Sequence, residues 1–211
     1  MAIQWYPETQ EFHLQNTSIS YVISLLPDRS PGLAYFGRPL ALEGRYSRLI
    51  RFEDRALSTH QSDLPASFCL DYAPRECPTY GRGDYRFPAL ELETEAGSPV
   101  ILDLQYLEHR IYQGKPPLKG LPATYVESLD EAESLTLTLE DGASHLQVQL
   151  HYTLFKNHPI LARRITIHNE GGQVLRIRRA YSAVLDLDTY NWDFIHFSGA
   201  WARERHVYRQ P

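Results

Sequence analysis

Residues 133–155 alternate so regularly between apolar and polar side chains that they constrain the fold class of the whole chain. Their sequence is ESLTLTLEDGASHLQVQLHYTLF, in which the apolar residues of both arms fall at every second position. A β-strand places successive side chains on opposite faces, so each arm has one apolar and one polar face. Asp141-Gly142, between the arms, is a strong hairpin-turn signal. The segment therefore predicts an antiparallel hairpin with one side buried and one in water.

Further strand signals follow one another at short spacing along most of the chain. The segments interpreted as strands or strand pairs are residues 10–25, 32–40, 89–114 and 161–188, the last read as a second hairpin bent at residues 169–172. Turn residues separate them, and no long helical pattern intervenes. This arrangement predicts an all-β fold, a large antiparallel β-sandwich (supersandwich), with residues 1–211 as a single domain.

Residues 41–88 depart from this regularity and predict a long irregular loop. The segment has four prolines, scattered charges and several aromatic residues, but little periodicity. A loop of this length in a compact domain is usually functional, interface-forming or disordered, and its aromatic content argues against disorder.

Composition excludes several classes of function. The net charge of −5 and the absence of a clustered basic patch argue against a nucleic-acid partner. No apolar run is long enough to cross a bilayer, and the start lacks the layout of a secretory signal, so we expect a cytoplasmic protein that does not bind membranes. Two cysteines, Cys69 and Cys77, are expected to be reduced thiols rather than a disulfide.

The sequence lacks the common catalytic and ligand-binding motifs. There is no HExxH pair, no CxxC, no P-loop and no G-x-S-x-G elbow, and the nine histidines are dispersed. We therefore predict no metal site, no cofactor and no catalytic residue within this chain.

Three segments are too specific to be explained as generic strands and turns. They are PTYGRGDYRFPAL (78–90), HRIYQGKPPLKGLPATYVE (109–127) and HFSGAWARERH (196–206). In this order, with LARRITIHNEGG before the last one, they resemble the N-terminal β-sandwich domain of α-galactosidases of glycoside hydrolase family 36. The resemblance covers nearly the whole chain.

The resemblance implies an activity and a set of partners for a longer protein. Members of the family are retaining enzymes that release terminal α-linked galactose from oligosaccharides such as melibiose and raffinose. Their nucleophile and general acid are two aspartates on a (β/α)8 barrel that follows the N-terminal sandwich. The chain ends about where the linker toward that barrel begins, so we expect both aspartates to lie outside it and the fragment alone to be inactive. The implied partners are the oligosaccharide substrates, the protein's own C-terminal barrel and, in the full-length protein, three further subunits of a homotetramer.

Two substrate-binding residues are implied by the same resemblance. Trp201, in GAWARER, matches a tryptophan that lines the sugar pocket, and an indole face can stack on the C–H face of a pyranose. Asp54, in RFEDRAL, matches an aspartate on the long loop that contacts the sugar, in tetramers the sugar of a neighbouring subunit. An ionised carboxylate accepts strong hydrogen bonds from sugar hydroxyls. The structural alternatives are a core or sheet-edge role for Trp201 and a solvated ion pair with Arg51 or Arg55 for Asp54.

Other residues near these positions are interpreted as structural. Arg203 and Arg205 flank Glu204 and are expected to form ion pairs that brace Trp201. Trp192, in YNWDF, is interpreted as a structural tryptophan at a strand start, with the rim of the sugar pocket as its alternative.

Two other classes of function stay open at this stage. The chain could be a free-standing carbohydrate-binding β-sandwich, which would bind sugar without a second domain. It could also be a purely structural oligomerisation module, in which Trp201 and Asp54 would have no effect on catalysis. If it is the enzyme domain, we expect the loop at 41–88 to be poorly packed without its partners.

Overall fold

The computed structural model describes residues 2–41, 44–53, 61–120, 123–187 and 191–211. The strands in these residues are β1 (Ile3–Tyr6), β2 (Glu11–Gln15), β3 (Ser20–Leu25), β4 (Pro31–Gly37), β5 (Leu90–Thr94), β6 (Pro99–Val100), β7 (Leu104–Gln113), β8 (Ala132–Asp141), β9 (Leu146–Phe155), β10 (Leu161–Asn169), β11 (Leu175–Ala180), β12 (Phe194–Ala200) and β13 (Arg203–Gln210). Two short 3₁₀ helices, Tyr46–Leu49 and Leu129–Glu131, are the helical elements of the described residues.

The strands form antiparallel sheets, as the sequence predicts. One four-stranded sheet has the order β1-β2-β3-β4 and the other has the order β10-β9-β8-β7. A three-stranded sheet has the order β11-β5-β6, and β12 pairs with β13 as a two-stranded ribbon. The inner faces of the two four-stranded sheets, with β5, share one apolar core. The prediction of an all-β sandwich is therefore confirmed.

The hairpin predicted at residues 133–155 is present as β8 and β9. Leu137 lies opposite Leu150 and Leu139 opposite Val148, and all four side chains are buried in the core between the sheets. The Asp141 carboxylate closes the turn by accepting hydrogen bonds from the backbone N–H (2.8 Å) and the hydroxyl (2.6 Å) of Ser144. The alternation thus points the leucines inward and leaves Thr136 and Gln149 on the outer face.

The second predicted hairpin, over residues 161–188, is wrong. β10 pairs with β9, whereas β11 pairs with β5 in a different sheet. The bend at Asn169 is as expected, and the Asn169 side chain holds it by donating to the carbonyl of Gln173 and accepting from the N–H of Gly171. Alternation in a sequence identifies the face that a strand buries, but it does not identify the partner along its edge.

Most of the described residues of the long irregular segment are packed, contrary to the expectation that the segment would be loose. The segment contributes Tyr46, Ile50, Phe68, Leu70 and Ala73 to a second buried cluster, in which they pack on Val22, Leu26 and Ala34 of β3, β4 and the turn between them. Leu33 also donates its backbone N–H to the carbonyl of Pro74 (2.7 Å), which ties the segment to the edge of the first sheet. The outer face of β3 and β4 is apolar, and the segment removes it from water.

A buried carboxylate joins this segment to both sheets. Glu76 accepts hydrogen bonds from the hydroxyls of Tyr21 on β3 (2.6 Å) and Tyr152 on β9 (2.7 Å). The guanidinium of Arg163 on β10 lies 2.7 Å from the same carboxylate and stands over the Tyr152 ring. Burial, reinforced by the nearby Glu76 carboxylate, raises the pKa of both tyrosines well above the ordinary value, so their hydroxyls remain donors.

The GRGDYR turn is the second polar anchor of the segment. Gly81 and Asp84 exchange backbone hydrogen bonds (2.8 and 3.0 Å), and Gly81 has a φ of 101°, which suits glycine. The turn buries Asp84 beside Arg75 and Arg86, each of which approaches its carboxylate to 2.9 Å. Arg86 also donates to the carbonyls of Leu70 (3.1 Å) and Ala73 (2.8 Å). The GRGDYR motif therefore has a structural role.

Neither cysteine forms a disulfide. Cys69 and Cys77 are free and buried, and desolvation raises the pKa of the Cys77 thiol to about 11. No helix among the residues that the structure describes is long and apolar enough to cross a bilayer.

We expect Glu76→Ala to lower the free energy of unfolding of the 211-residue chain by about 3–5 kcal/mol, because Arg163 becomes a buried charge without its counter-ion. Glu91→Ala is the control, since it removes the partly exposed ion pair with Arg179 (2.9 Å) and is expected to cost at most about 1 kcal/mol. Urea unfolding of both variants measures the difference. Equal costs for the two variants would contradict a central role for Glu76.

Asp84 makes the stability of the chain depend on pH. Burial acts to raise the pKa of this carboxyl, but hydrogen bonds and charge from Arg86 and Arg75 outweigh burial and hold it below the ordinary value. The ionised Asp84 therefore contributes fully to the free energy of unfolding above the unfolded-state pKa of about 3.9. This contribution is lost as the pH falls through the lower folded-state pKa. The stability difference between the chain and Asp84→Asn should therefore shrink on going from neutral pH to below about 3 in urea unfolding. A difference that stays constant over this range would rule out the proposed contribution.

Candidate functional site

The ribbon of β12 and β13 carries Trp201 at its tip. Ala200 pairs with Arg203, and Trp201 and Ala202 form the turn between them. The Trp201 side chain is 95% exposed. The structural alternative of a tryptophan inside the sandwich core is therefore wrong, and the indole is open to a ligand or to another part of a protein.

Local backbone geometry determines how the tip presents this ring. The strand register shifts between Ser198 and Ala200, so β12 has a bulge next to the turn. A Cβ on Gly199 would lie 2.9 Å from the carbonyl oxygen of Arg203, too close for any side chain. Ala202 follows the indole with a φ of 60°, in the left-handed region. Bulges re-aim side chains, and here the bulge and the glycine allow the tight turn that projects Trp201.

The ribbon is apolar on both of its faces, and both are exposed. Its large exposed apolar residues are Phe194, Ile195, Phe197, Val207 and Tyr208. His196 stacks on Phe194 (5.3 Å between centroids) and on Tyr208 (5.4 Å), and Arg209 pairs with Asp193 at the base. An exposed apolar surface of this extent is typical of an interaction site.

The ion pairs expected to brace Trp201 do not form. Within the described part of the chain, Glu204 makes no salt bridge with Arg203 or Arg205. Arg203 and Arg205 are exposed, and neighbouring residues of a strand project to opposite faces, so a carboxylate is badly placed to meet the residues beside it. The turn and the bulge, rather than an ionic network, position the indole.

Asp54 lies outside the described residues. The chain leading to it is anchored. Arg51 pairs with Glu53 at 2.6 Å, and the hydroxyl of Tyr72 bonds to both the N–H and the carbonyl of Glu53 (2.9 Å each). The residue immediately before position 54 is therefore held in place by these contacts.

Sequence reasoning missed a groove that includes Trp192. Its volume is about 1160 Å³, and it is lined by β4, by Leu49–Arg51 and Glu53, and by residues 186, 187 and 192. Trp192 stacks on Phe36 of β4 and keeps 40% of its surface exposed. The aromatic pair joins residues 156 positions apart, and no local pattern in the sequence predicts such a contact.

Among the described residues, no group of three or more histidine, cysteine, aspartate or glutamate side chains is placed to hold a metal ion. The described residues instead present exposed aromatic surface to a ligand at Trp201 and Trp192.

Comparison with known proteins identifies the family. The sequence profile of the glycosyl hydrolase family 36 N-terminal domain matches residues 29–211. The chain belongs to this family. Alpha-galactosidase AgaA of Geobacillus stearothermophilus is 40% identical over 211 residues, which are 100% of this chain and 29% of AgaA.

Solved structures of family 36 enzymes share the fold. The crystal structure of α-galactosidase AgaB from Geobacillus stearothermophilus has a TM-score of 0.88 and 41% identity, covering 100% of this chain and 28% of AgaB. A variant of AgaA in complex with raffinose has a TM-score of 0.85 and 40% identity, covering 95% of this chain and 28% of AgaA. The chain thus spans less than a third of the length of these family 36 relatives.

The exposure of Trp201 predicts that its removal does not affect folding. We expect Trp201→Ala to change the free energy of unfolding by no more than about 0.5 kcal/mol. Trp5→Ala is the matched control, because Trp5 stacks on the buried Phe12 ring at 4.2 Å, and its loss should cost at least about 2 kcal/mol. Thermal or urea unfolding measures both values. A cost for Trp201→Ala comparable to that of Trp5→Ala would mean that the indole is packed rather than presented.

Proposed function

We propose that this chain is the N-terminal domain of a retaining α-galactosidase that hydrolyses terminal α-linked galactose from oligosaccharides such as melibiose and raffinose. In this proposal residues 1–211 form one non-catalytic domain, which supplies substrate-pocket residues and subunit contacts. The observation that carries it is the fully exposed indole of Trp201 at the tip of the ribbon, in a chain of family 36.

The similarity to full-length enzymes supports the proposed activity. AgaA is an α-galactosidase, and structures of AgaA variants contain raffinose and stachyose. More than two thirds of the length of AgaA has no counterpart in this chain. We assign the bond-breaking aspartates to that part, on a (β/α)8 barrel, in keeping with the family resemblance.

Trp201 is proposed to contact the galactose ring. The axial and equatorial C–H bonds of a pyranose form an apolar face that packs on an indole, while the indole N–H can donate to a hydroxyl. The exposed position of Trp201 leaves both the face and the N–H available. The narrow turn also lets the ring enter a cleft on another domain.

Asp54 is proposed to accept hydrogen bonds from two sugar hydroxyls, in the pocket of its own or a neighbouring subunit. Support comes from its position after the anchored Glu53 and from the strength of hydrogen bonds to a charged acceptor. Loops that carry binding residues are typically held by a rigid scaffold, and the buried part of the long segment is such a scaffold.

The apolar faces of the ribbon are proposed to be covered in the full-length protein by the catalytic barrel. Packing there would remove the exposed phenylalanines and valine from water and orient Trp201 toward the sugar. The homotetramer and the cytoplasmic location expected for the full-length enzyme belong to the same proposal.

A free-standing carbohydrate-binding module is the second candidate, because an exposed tryptophan on a projecting turn also suits a sugar-binding site without an enzyme. Calorimetry of the 211-residue chain with melibiose and galactose separates the two. Clear binding that Trp201→Ala abolishes favours the module, whereas weak or absent binding, or binding that Trp201→Ala leaves unchanged, favours the enzyme domain.

The enzyme proposal predicts a kinetic effect of Trp201. In the full-length protein, we expect Trp201→Ala to lower kcat/KM for melibiose about tenfold, because the stacking contact is lost. Tyr125→Ala is the matched control, since Tyr125 is also a highly exposed aromatic residue and should have no effect. Steady-state kinetics on melibiose and raffinose provide the measurement. Unchanged kcat and KM for both variants would remove the substrate role of Trp201 and favour a purely structural domain.

A further inference from the structure

The groove beside β4 has the size and shape of a ligand-binding site. Its volume of about 1160 Å³ is slightly above the roughly 300–1,000 Å³ that is usual for such sites, and exceeds the needs of one sugar ring. Residues 33–37 of β4, the edge strand of its sheet, line the groove, and its walls also include Leu49–Arg51, Tyr72, Leu187 and Trp192. An extended ligand of several rings fits this shape better than a single ring.

Trp192 provides a rigid aromatic surface in this groove. Its ring lies parallel to the Phe36 ring, with 5.7 Å between centroids and 10° between planes. Phe36 covers only one face, so the 40% of the side chain that remains exposed belongs to the other face and the edges. A ring held in this way stacks on a pyranose with little loss of conformational entropy.

The charges around the groove favour a neutral ligand. Among its described lining residues there are two cationic side chains, Arg38 and Arg51, and two carboxylates, Glu53 and Asp186. Glu53 pairs with Arg51 at 2.6 Å, and Asp186 pairs at 3.3 Å with Arg86 outside the groove. Ion-paired side chains still offer donors and acceptors to hydroxyl groups, whereas an ionic ligand would meet like charge at one end.

The groove and the ribbon tip are too far apart to bind the same sugar ring. Trp192 precedes β12, and Trp201 follows its other end. Seven extended residues of β12 separate them by roughly 20–25 Å, at about 3.3 Å per residue. A pyranose that touches Trp201 therefore cannot also touch Trp192.

We propose that this groove is a second carbohydrate site, which binds a neutral oligosaccharide against Trp192 away from the ring whose bond is cleaved. That the ligand is an oligosaccharide, and in particular an α-galactoside, rests on the proposed function. Such a site holds α-galactosides at the surface of the enzyme and raises their local concentration near the catalytic pocket.

The test uses the full-length protein with its catalytic pocket blocked. 1-Deoxygalactonojirimycin, which is bound in a structure of an AgaA variant, is added to saturation, and stachyose is then titrated by calorimetry. We expect residual, saturable stachyose binding that Trp192→Ala weakens about tenfold and Trp192→Phe largely retains. The kcat/KM for a short chromogenic α-galactoside should be the same in the wild type and in Trp192→Ala.

Leu187→Arg is a second variant that does not depend on the aromatic stack. Leu187 lines the groove and is partly exposed, so a larger charged side chain there should fold and should abolish the residual binding. Absence of stachyose binding in the blocked wild-type protein, or equal binding in the wild type and both Trp192→Ala and Leu187→Arg, would overturn the assignment. Cleavage of stachyose by the unblocked enzyme is scored separately, so failure of the groove and failure of the proposed α-galactosidase activity are distinguishable.

Discussion

The buried carboxylate of Glu76 holds the fold together at the point where three parts of the chain meet. It belongs to the long irregular segment, and its partners Tyr21, Tyr152 and Arg163 belong to both four-stranded sheets. A buried charge is costly unless it is paired and hydrogen-bonded, and here these three partners supply the compensation. This arrangement fixes the segment on the sandwich, and with it the groove wall and the approach to Asp54.

The ribbon of β12 and β13 is exposed where the contacts of Glu76 are buried. It leaves apolar residues such as Phe194 and Phe197 in water on a projecting hairpin with Trp201 at the end. A surface of this kind is stable in a folded protein when another domain or subunit covers it. The exposed Trp201 ring at the tip of this ribbon suits a domain that completes a site shared with another part of the protein.

How far the sequence predicts this structure depends on whether the signal is local. Leu135, Leu137 and Leu139 specify β8 by alternation, and the turn signal at Asp141 specifies its partner, so that hairpin is predictable. The pairing of β11 with β5 and the contact of Trp192 with Phe36 join distant residues, and nothing near either residue encodes them. Glu76 is missed for the same reason, because a glutamate in a proline-rich segment is usually a solvated residue. Trp201 is found through a family motif rather than through periodicity.

In the proposed enzyme, the sandwich presents the Trp201 indole to a sugar that is cleaved by groups on another domain. The most direct test is a structure of the full-length protein with an α-galactoside bound. We expect the Trp201 ring to lie within about 4 Å of the terminal galactose, the distance of a packing contact. A structure in which the sugar is bound and Trp201 is buried against protein, out of contact with any sugar, would contradict it.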